Sequence, residues 1–299
     1  MRTTPDLHTH STASDGTLAP RDLIARAKRQ GVEMLALTDH DTVAGIDEAA
    51  DAAQRHGVGL IPGVEVSVTW GGRTVHIVGL DVDPGCRALR DGLAGLLAYR
   101  EQRAAEIALR LERAGWPGAL EGARAQAKGA LVGRTHFARY LASRGAAKDV
   151  RGVFKHFLVA GKPGHVAGEW ATLEEAVGWI RAAGGQAVIA HPARYGFTRT
   201  KMRRFIEAFL ASGGRGIEVV SGSHSRDDYF TFARWARETG LMASAGSDYH
   251  GPESPWVELG RLPPLPDGCD PIWRLAGFGS GECAAPAQPR LRIDPVVQH

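Results

Sequence analysis

A chain of 299 residues with 43% hydrophobic and 23% charged residues has the composition of an ordinary soluble globular protein, with room for one large α/β domain or two smaller ones. Its formal charge of +3 excludes nucleic-acid binding through bulk electrostatics, so any polyanionic partner is met locally. Cys86, Cys269 and Cys283 are scattered without a C-x-x-C spacing, which argues against a disulfide framework and a thiolate zinc site alike.

The N-terminus runs into Asp6-Leu7-His8-Thr9-His10 with no apolar signal core, and no apolar run reaches membrane-spanning length, so a cytoplasmic protein with no membrane contact is expected. A period-2 strand over these residues sends His8 and His10 to one side, where both imidazoles can reach one metal ion. Asp15 follows in Ser-Asp-Gly. Pro20 then opens a helix to about Gln30, stopped at Gly31. Val32 to Leu37 is a short buried strand emptying into Thr38-Asp39-His40-Asp41. An Ala-rich helix over Thr42 to His56 ends at Gly57, with His56 in its last turn against the helix dipole rather than on a metal.

Gly59 to Trp70 and Arg73 to Asp81 read as strands joined by a Gly71-Gly72 hairpin. Glu65 lies inside the first of them, where an unpaired carboxylate would be costly, so a cation partner is expected for it. His76 lies inside the second. From Pro84 to about Gly164 helical patterns follow one another, over Arg87 to Gly115, Ala119 to Lys128, Arg134 to Arg144 and Val150 to Ala160. This predicts a helical insertion, residues 85–164, placed as a cap over one face of the main domain. Its His136, His156 and His165 are read as packing or surface histidines.

Strand and helix alternation then resumes. A capping box at Thr172-Leu-Glu-Glu175 opens a helix to about Ala183. Gln186 to Ala190 is a strand ending in His191-Pro192, a basic helix covers Arg199 to Ser212, and Gly216 to Val220 is a strand ending near Ser221 and His224. A helix from Asp227 to Thr239 precedes the strand Leu241 to Ala245, which ends in Gly246-Ser-Asp248-Tyr-His250. Repeated βα units predict a mostly parallel sheet, closed or distorted into a barrel, with its site at the strand C-termini. Residues 1–84 and 165–276 make up this discontinuous domain. Only Ile272 to Leu275 looks anchored beyond Leu262, and 277–299 is expected to be a loose tail.

His8, His10, Asp15, His40, Glu65, His76, His191, Asp248 and His250 all fall at or near such ends. Nine ligands exceed the needs of one ion and suit two or three bridged by a carboxylate such as Glu65. Imidazole and carboxylate donors fit Mn²⁺, Zn²⁺ or Fe²⁺ better than Ca²⁺ or Mg²⁺. Clustered divalent ions generate hydroxide and hold a phosphoryl group during in-line displacement.

Taken together, Asp6-Leu-His-Thr-His10 with Ser14-Asp-Gly16, Leu37-Thr-Asp-His-Asp41, Pro62-Gly-Val-Glu65, His76, Ala190-His-Pro192 and Gly246-Ser-Asp-Tyr-His250 make the chain resemble the PHP (polymerase and histidinol phosphatase) family of metal-dependent phosphoesterases. The resemblance spans most of residues 1 to 250 in the family's order. It implies a distorted (β/α)7 barrel with a trinuclear centre. One ion would take His8, His10, Glu65 and Asp248, a second Glu65, His76 and His191, and a third Asp15, His40 and His250. Gly133-Arg-Thr-His-Phe-Ala-Arg139 and Gly161-Lys-Pro163 are similar to the subgroup of nucleoside 3′,5′-bisphosphate phosphatases, some also described as 5′-3′ exoribonucleases.

The expected activity is removal of the 3′-phosphate from a nucleoside 3′,5′-bisphosphate, with Mn²⁺ as the leading metal, a small phosphorylated nucleotide as partner and no obligate protein partner. Asp248 and His224 are the catalytic candidates, and Arg134, Lys162, Arg194 and His224 the candidates for holding phosphates. The alternatives are a 5′-3′ exoribonuclease on short RNA, with Arg199, Lys201, Arg203 and Arg204 lining a groove, and histidinol-phosphate phosphatase. An amidohydrolase, which shares the His-x-His start, usually carries a bridging Lys where Glu65 stands here. From a different class comes a catalytically silent PHP module, disfavoured because every ligand position holds a competent residue.

Overall fold

Six strands form one curled sheet in chain order in the computed structural model, which describes residues 5–127, 131–253 and 256–279. They are β1 (Met34–Leu37), β2 (Gly59–Trp70), β3 (Arg73–Leu80), β4 (Gln186–Ile189), β5 (Gly216–Ser221) and β6 (Met242–Gly246). Helices α1 (Pro20–Arg29) and α2 (Ile46–His56) flank β1 in the chain. Then α3 (Arg87–Arg113), α4 (Ala119–Gln126), α5 (Arg134–Ser143) and α6 (Val150–Val153) follow one another between β3 and β4. Finally α7 (Leu173–Ala182), α8 (Arg199–Ala211) and α9 (Arg226–Thr239) alternate with β4, β5 and β6. No helix among the described residues is long and apolar enough to cross a membrane. The predicted tail lies outside the described residues from 280 onward, as does the end of the predicted fourth helix at Lys128.

The expectation of a mostly parallel sheet is corrected at the sheet's centre. Strand pairs β1–β2, β4–β5 and β5–β6 are parallel, but β3 runs antiparallel to both its neighbours. The cause is local: Gly71 and Gly72 turn at φ +55° and +74°, and a two-residue hairpin can join only antiparallel strands. Glu65 and His76 therefore sit inside a long β-arm rather than at strand ends, although His40 bridges Glu65 and so brings it level with the end of β1.

Residues 6–10, expected as the first strand, form no continuous ladder. Asp6 bridges Leu35, and Thr9 bridges Tyr249 beyond β6. The amide of Asp6 donates to the Met34 carbonyl (3.0 Å), that of Leu7 to Ala245 (2.9 Å) and that of His10 to Tyr249 (2.9 Å). Wedged between the two edges of the curled sheet, the segment divides its hydrogen bonds between β1 and the β6 side, which interrupts both ladders. Gly246 permits this approach, since a Cβ there would lie 2.3 Å from that of His8.

Alternation along the strands decides what faces inward. In β2, Val64, Val66 and Val68 pack outward into the layer under α7 and α8, while Glu65 and Ser67 lie on the other face. Along β3 Val75 and Ile77 join that outer layer, whereas Val78 and Leu80 fill the barrel floor with Leu7, Ala36, Ile61 and Val188. Each such Val, Leu or Ile side chain contributes roughly 1.5–3 kcal/mol by its burial. His76 is the next inward residue above that floor. A separate apolar cluster joins Ala104, Ile107, Leu111, Phe137, Leu141 and Leu158, so the helices between β3 and β4 have a core of their own. The last helix predicted there is split: α6 is a single turn, and Phe154–Leu158 continue as a π-helical turn.

Candidate metal centre

The inward residues converge at the mouth of the sheet. Four overlapping groups bring nitrogen and oxygen atoms within 4.8 Å of one another: His10, Asp15, His40 and His250; His8, Glu65 and His191; His8, His10 and Asp248; and His40, Glu65 and His76. All nine residues singled out as ligands meet here. The grouping differs from the family pattern in two respects, since His10 also approaches the Asp15 group and Glu65 meets His40 with His76 while His191 meets His8. Glu65 belongs to two of these groups and reaches five of the imidazoles, with Oε1 2.7 Å from His76 Nδ1 and 2.9 Å from His191 Nε2. Its Oε2 lies 3.4 Å from Nε2 of both His8 and His10. Asp248 Oδ1 is 3.2 Å from His10 Nε2, and Asp15 Oδ1 is 3.2 Å from His250 Nε2.

Backbone strain is spent in the same place. Four described non-glycine residues have positive φ, and Asp41, His191 and Asp248 are three of them. Asp41 in this conformation also delays α2, which begins at Ile46 rather than Thr42. Asp39 of the same loop binds the Ser11 amide (2.8 Å) and hydroxyl (2.6 Å), fixing the turn that carries Asp15.

The chemistry of the donor set fits divalent cations. Among the described residues nine buried side-chain atoms lack a hydrogen-bond partner: His8 Nε2, both ring nitrogens of His10, Asp15 Oδ1, His40 Nδ1, Glu65 Oε2, His191 Nδ1, Ser247 Oγ and the Tyr249 hydroxyl. All but the last two belong to the convergent residues. Orphaned polar atoms cost free energy when buried, and a shared cation is what would satisfy this set. His40 Nδ1 and Glu65 Oε2 are 2.8 Å apart yet are not aligned for a hydrogen bond.

Protonation follows the same geometry. Burial pulls the His10 imidazole down to about 3 and that of His76 to about 4, leaving both neutral with free lone pairs. Burial also opposes ionisation of Glu65, but His40, His76 and His8 outweigh it and hold the carboxyl well below its usual range. For His250 burial is likewise outweighed, here by Asp15 and Asp248, which raise the imidazole to about 9.

Facing the ligands across a cavity of ≈ 160 Å³ stands a cationic wall from the helices between β3 and β4, including Arg100, Arg103 and Arg134. Arg134, in the first turn of α5, was expected; Arg100 and Arg103 were not. Arg100 binds Asp41 through Nε (2.6 Å) and the Ser67 hydroxyl (2.9 Å), and lies over Trp170 (4.9 Å). Arg103, pulled down to about 10 by burial and then by Arg134 and Arg100, donates to the Val166 carbonyl. No described carboxylate lies within ion-pair distance of Arg103 or Arg134. The i, i+3 spacing of Arg100 and Arg103 on α3 is visible in the sequence, but only the fold shows which face of that helix turns toward the cavity. Arg194 reaches the rim and donates to Asp248 Oδ2 (2.9 Å).

Two expected phosphate-binding residues are not brought to the cavity. Lys162 sits on an exposed turn and is absent from the lining. His224, also expected to be catalytic, is buried with Nδ1 3.0 Å from the Val219 carbonyl, Nε2 facing the Ala193 amide (3.4 Å) and its ring stacked on Phe232. With both nitrogens turned to the backbone it ties β5 to the His191-Pro192 turn. Thr135, missed in the sequence, donates to Asp15 Oδ2 (2.9 Å), and Arg139 to the Asp15 carbonyl (3.0 Å), so α5 grips the loop that carries this candidate ligand.

Comparison with known proteins gives concordant relatives. The family model of the PHP domain matches residues 6–187. The chain is 51% identical over 270 residues to the 3′,5′-nucleoside bisphosphate phosphatase of Chromobacterium violaceum, covering 90% of this chain and 95% of that protein. It is 44% identical over 272 residues to the 5′-3′ exoribonuclease Rnm of Escherichia coli, covering 90% and 92%. A solved structure of an amidohydrolase from Chromobacterium violaceum, with bound SO4 and no metal, superposes with a TM-score of 0.88 at 51% identity, over 91% of this chain and 95% of that one.

Proposed function

The chain belongs to the PHP domain family, and from that premise we propose that it is a metal-dependent phosphomonoesterase that removes the 3′-phosphate from nucleoside 3′,5′-bisphosphates, giving AMP and phosphate from adenosine 3′,5′-bisphosphate. The observation that carries this reading is the cavity's division: orphaned imidazole and carboxylate donors on one wall, and on the other the guanidinium groups of Arg103 and Arg134, which have no carboxylate partner among the described residues. The substrate it suits has two phosphates, one to react and one to be held.

In this reading His8, His10, Asp15, His40, Glu65, His76, His191, Asp248 and His250 hold two to three divalent ions, with Mn²⁺ the leading candidate. Bound there, the ions supply an activated water and neutralise charge on the reacting phosphate. The protein's own residues do the rest. Glu65, ionised and central, keeps the imidazoles together. Asp248 is the catalytic carboxylate, oriented by Arg194, whose exposed guanidinium also reaches a phosphate at the rim. Arg134 and Arg103 hold the non-reacting 5′-phosphate, with Arg100 positioned by Asp41 beside them. Residues 85–164 form the cap, and residues 1–84 and 165–276 a distorted (β/α)7 barrel in which segment 6–10 is the seventh stave. The proposed setting is the cytoplasm.

A second reading, 5′-3′ exoribonuclease activity on short RNA, is favoured by the relatives of that name at 44% and 48% identity. Phosphate release from a panel of 3′,5′-bisphosphates, 2′- and 3′-monophosphates and histidinol phosphate, beside mononucleotide release from 5′-phosphorylated oligoribonucleotides, tests both. The first reading requires the bisphosphates to give the highest kcat/KM; mononucleotide release from RNA at a higher kcat/KM would replace it with the second.

A further inference from the structure

Glu218 belongs to none of the ligand motifs, yet it touches two ligand-bearing residues at once. It is the inward residue of β5, between Ile217 and Val219, and is 1% exposed. A register shift between Glu218 and Val220 marks a β-bulge, a device that re-aims a side chain. Its Oε1 lies 2.6 Å from His8 Nδ1, and its Oε2 accepts the backbone N–H of His191 at 2.5 Å. His191 is held there at φ 25° and ψ 58°. No described Lys or Arg pairs with this carboxylate; its one ion-pair contact is His8.

We propose that Glu218 is a positioning residue for the metal centre, fixing the tautomer of His8 and the backbone of His191 through its two carboxylate oxygens. The inference rests on the metal-centre reading above. Oε2 already accepts an amide proton, and the geometry places Oε1 to accept the proton of His8 Nδ1. The lone pair of His8 is then on Nε2, the orphaned atom 3.4 Å from Glu65 and 3.6 Å from Asp248. A glutamine cannot reproduce this. With its oxygen toward the His191 amide, its NH₂ faces His8 Nδ1 and drives the proton to Nε2, the atom meant for the metal. With its oxygen toward His8, its NH₂ opposes the N–H of a strained residue.

The test is binding of Mn²⁺ to wild type and Glu218→Gln by equilibrium dialysis with elemental analysis, beside ¹⁵N-histidine NMR of the Zn²⁺-loaded wild type. Glu218→Gln should bind at least one ion about ten- to a hundredfold more weakly, with kcat recovering toward wild type as Mn²⁺ is raised. The NMR spectrum should show His8 protonated at Nδ1. Equal affinity and stoichiometry in the folded variant would overturn the proposal, as would an Nε2–H tautomer in the wild type, which is informative even where the variant does not fold. A wild type that binds no Mn²⁺ or Zn²⁺ would overturn the metal-centre reading itself, and this inference with it.

Discussion

The two walls of the cavity are built differently. The ligand wall is made of short side chains in the strands and in the turns beside them, most of them buried and two of them, His191 and Asp248, at strained backbone positions; the opposite wall is made of long guanidinium side chains on helices, propped by Trp170, Phe154 and backbone carbonyls. Reaction at phosphorus needs groups held within fractions of an ångström, which buried, over-determined positions supply. Recognition of a distant phosphate needs charge and reach, which arginines on a cap supply and which can change without touching the reacting centre. The teaching is that loss on the first wall should be indifferent to substrate, while loss on the second should depend on which phosphates the substrate carries.

The largest effect should come from Glu65→Gln. The change keeps volume but removes the one carboxylate common to His8, His10, His40, His76 and His191. Bound metal, read by elemental analysis, should fall by at least one ion, and activity on every substrate should drop at least about a hundredfold. Full metal content in the variant would remove Glu65 from the centre. Acid should weaken the same wall, because His250 is protonated up to about 9 in the metal-free protein and must lose that proton to bind an ion. A raised imidazole pKa stabilises the metal-free fold below the ordinary value of 6.5 and loses that contribution as pH rises through about 9. Metal affinity should run the other way, increasing by up to about tenfold per pH unit across that window as one proton is displaced. Chelator competition at several pH values reads this slope, and a flat profile would separate His250 from the metal.

Arg134→Ala should break the comparison on its other side. Its kcat/KM for a 3′,5′-bisphosphate should fall roughly ten- to a hundredfold, about 1.5–3 kcal/mol for a charged hydrogen bond, with little change on a 3′-monophosphate or an aryl phosphate. A proportional loss on both substrate types would move Arg134 to the reacting phosphate. Asp41→Asn should act more mildly, since it leaves an acceptor but removes the charge that orients Arg100. Charge-assisted bonds are about twice as strong as neutral ones, so a loss of about 1 kcal/mol, near fivefold, is expected on the bisphosphate. A Ser67→Ala variant, which removes only the second anchor of Arg100, should lose less.

The same contrast explains what could be read before the fold was known. The nine candidate ligands are legible from spacing because most sit just beyond a strand end or on the inward period of a strand, positions that apolar alternation marks in one dimension. Arg100 and Arg103 carry no such mark: α3 is charged along much of its length, and which of its arginines meets Trp170 depends on how that helix leans across the barrel. His224 shows the converse error. Its place after a strand and between two serines resembles that of the ligands, but an added turn at Ser221–His224 brings its ring under the backbone of Val219 instead of into the cavity. Glu218 is one charge in an apolar strand, and the argument that gives Glu65 a partner applies to it equally.

Lys162 sharpens the comparison with the smallest effect. In the sequence it stands level with Arg134, one cation in each of two motifs of the insertion. In the structure its amide donates to the Val159 carbonyl (3.0 Å) and its side chain is exposed, outside the residues lining the cavity. A solvated ammonium acts only through a field that decays over about 8–10 Å at physiological ionic strength. Lys162→Ala should therefore change kcat/KM by less than about twofold on bisphosphate and monophosphate alike, as surface charges typically contribute under about 0.5 kcal/mol. The informative variable is salt. A loss seen only at low ionic strength would make Lys162 part of the steering field that draws anions to the mouth. A loss that persists at high salt and falls on the bisphosphate alone would mean that the 159–164 turn closes onto the bound 5′-phosphate, extending the cationic wall by one residue.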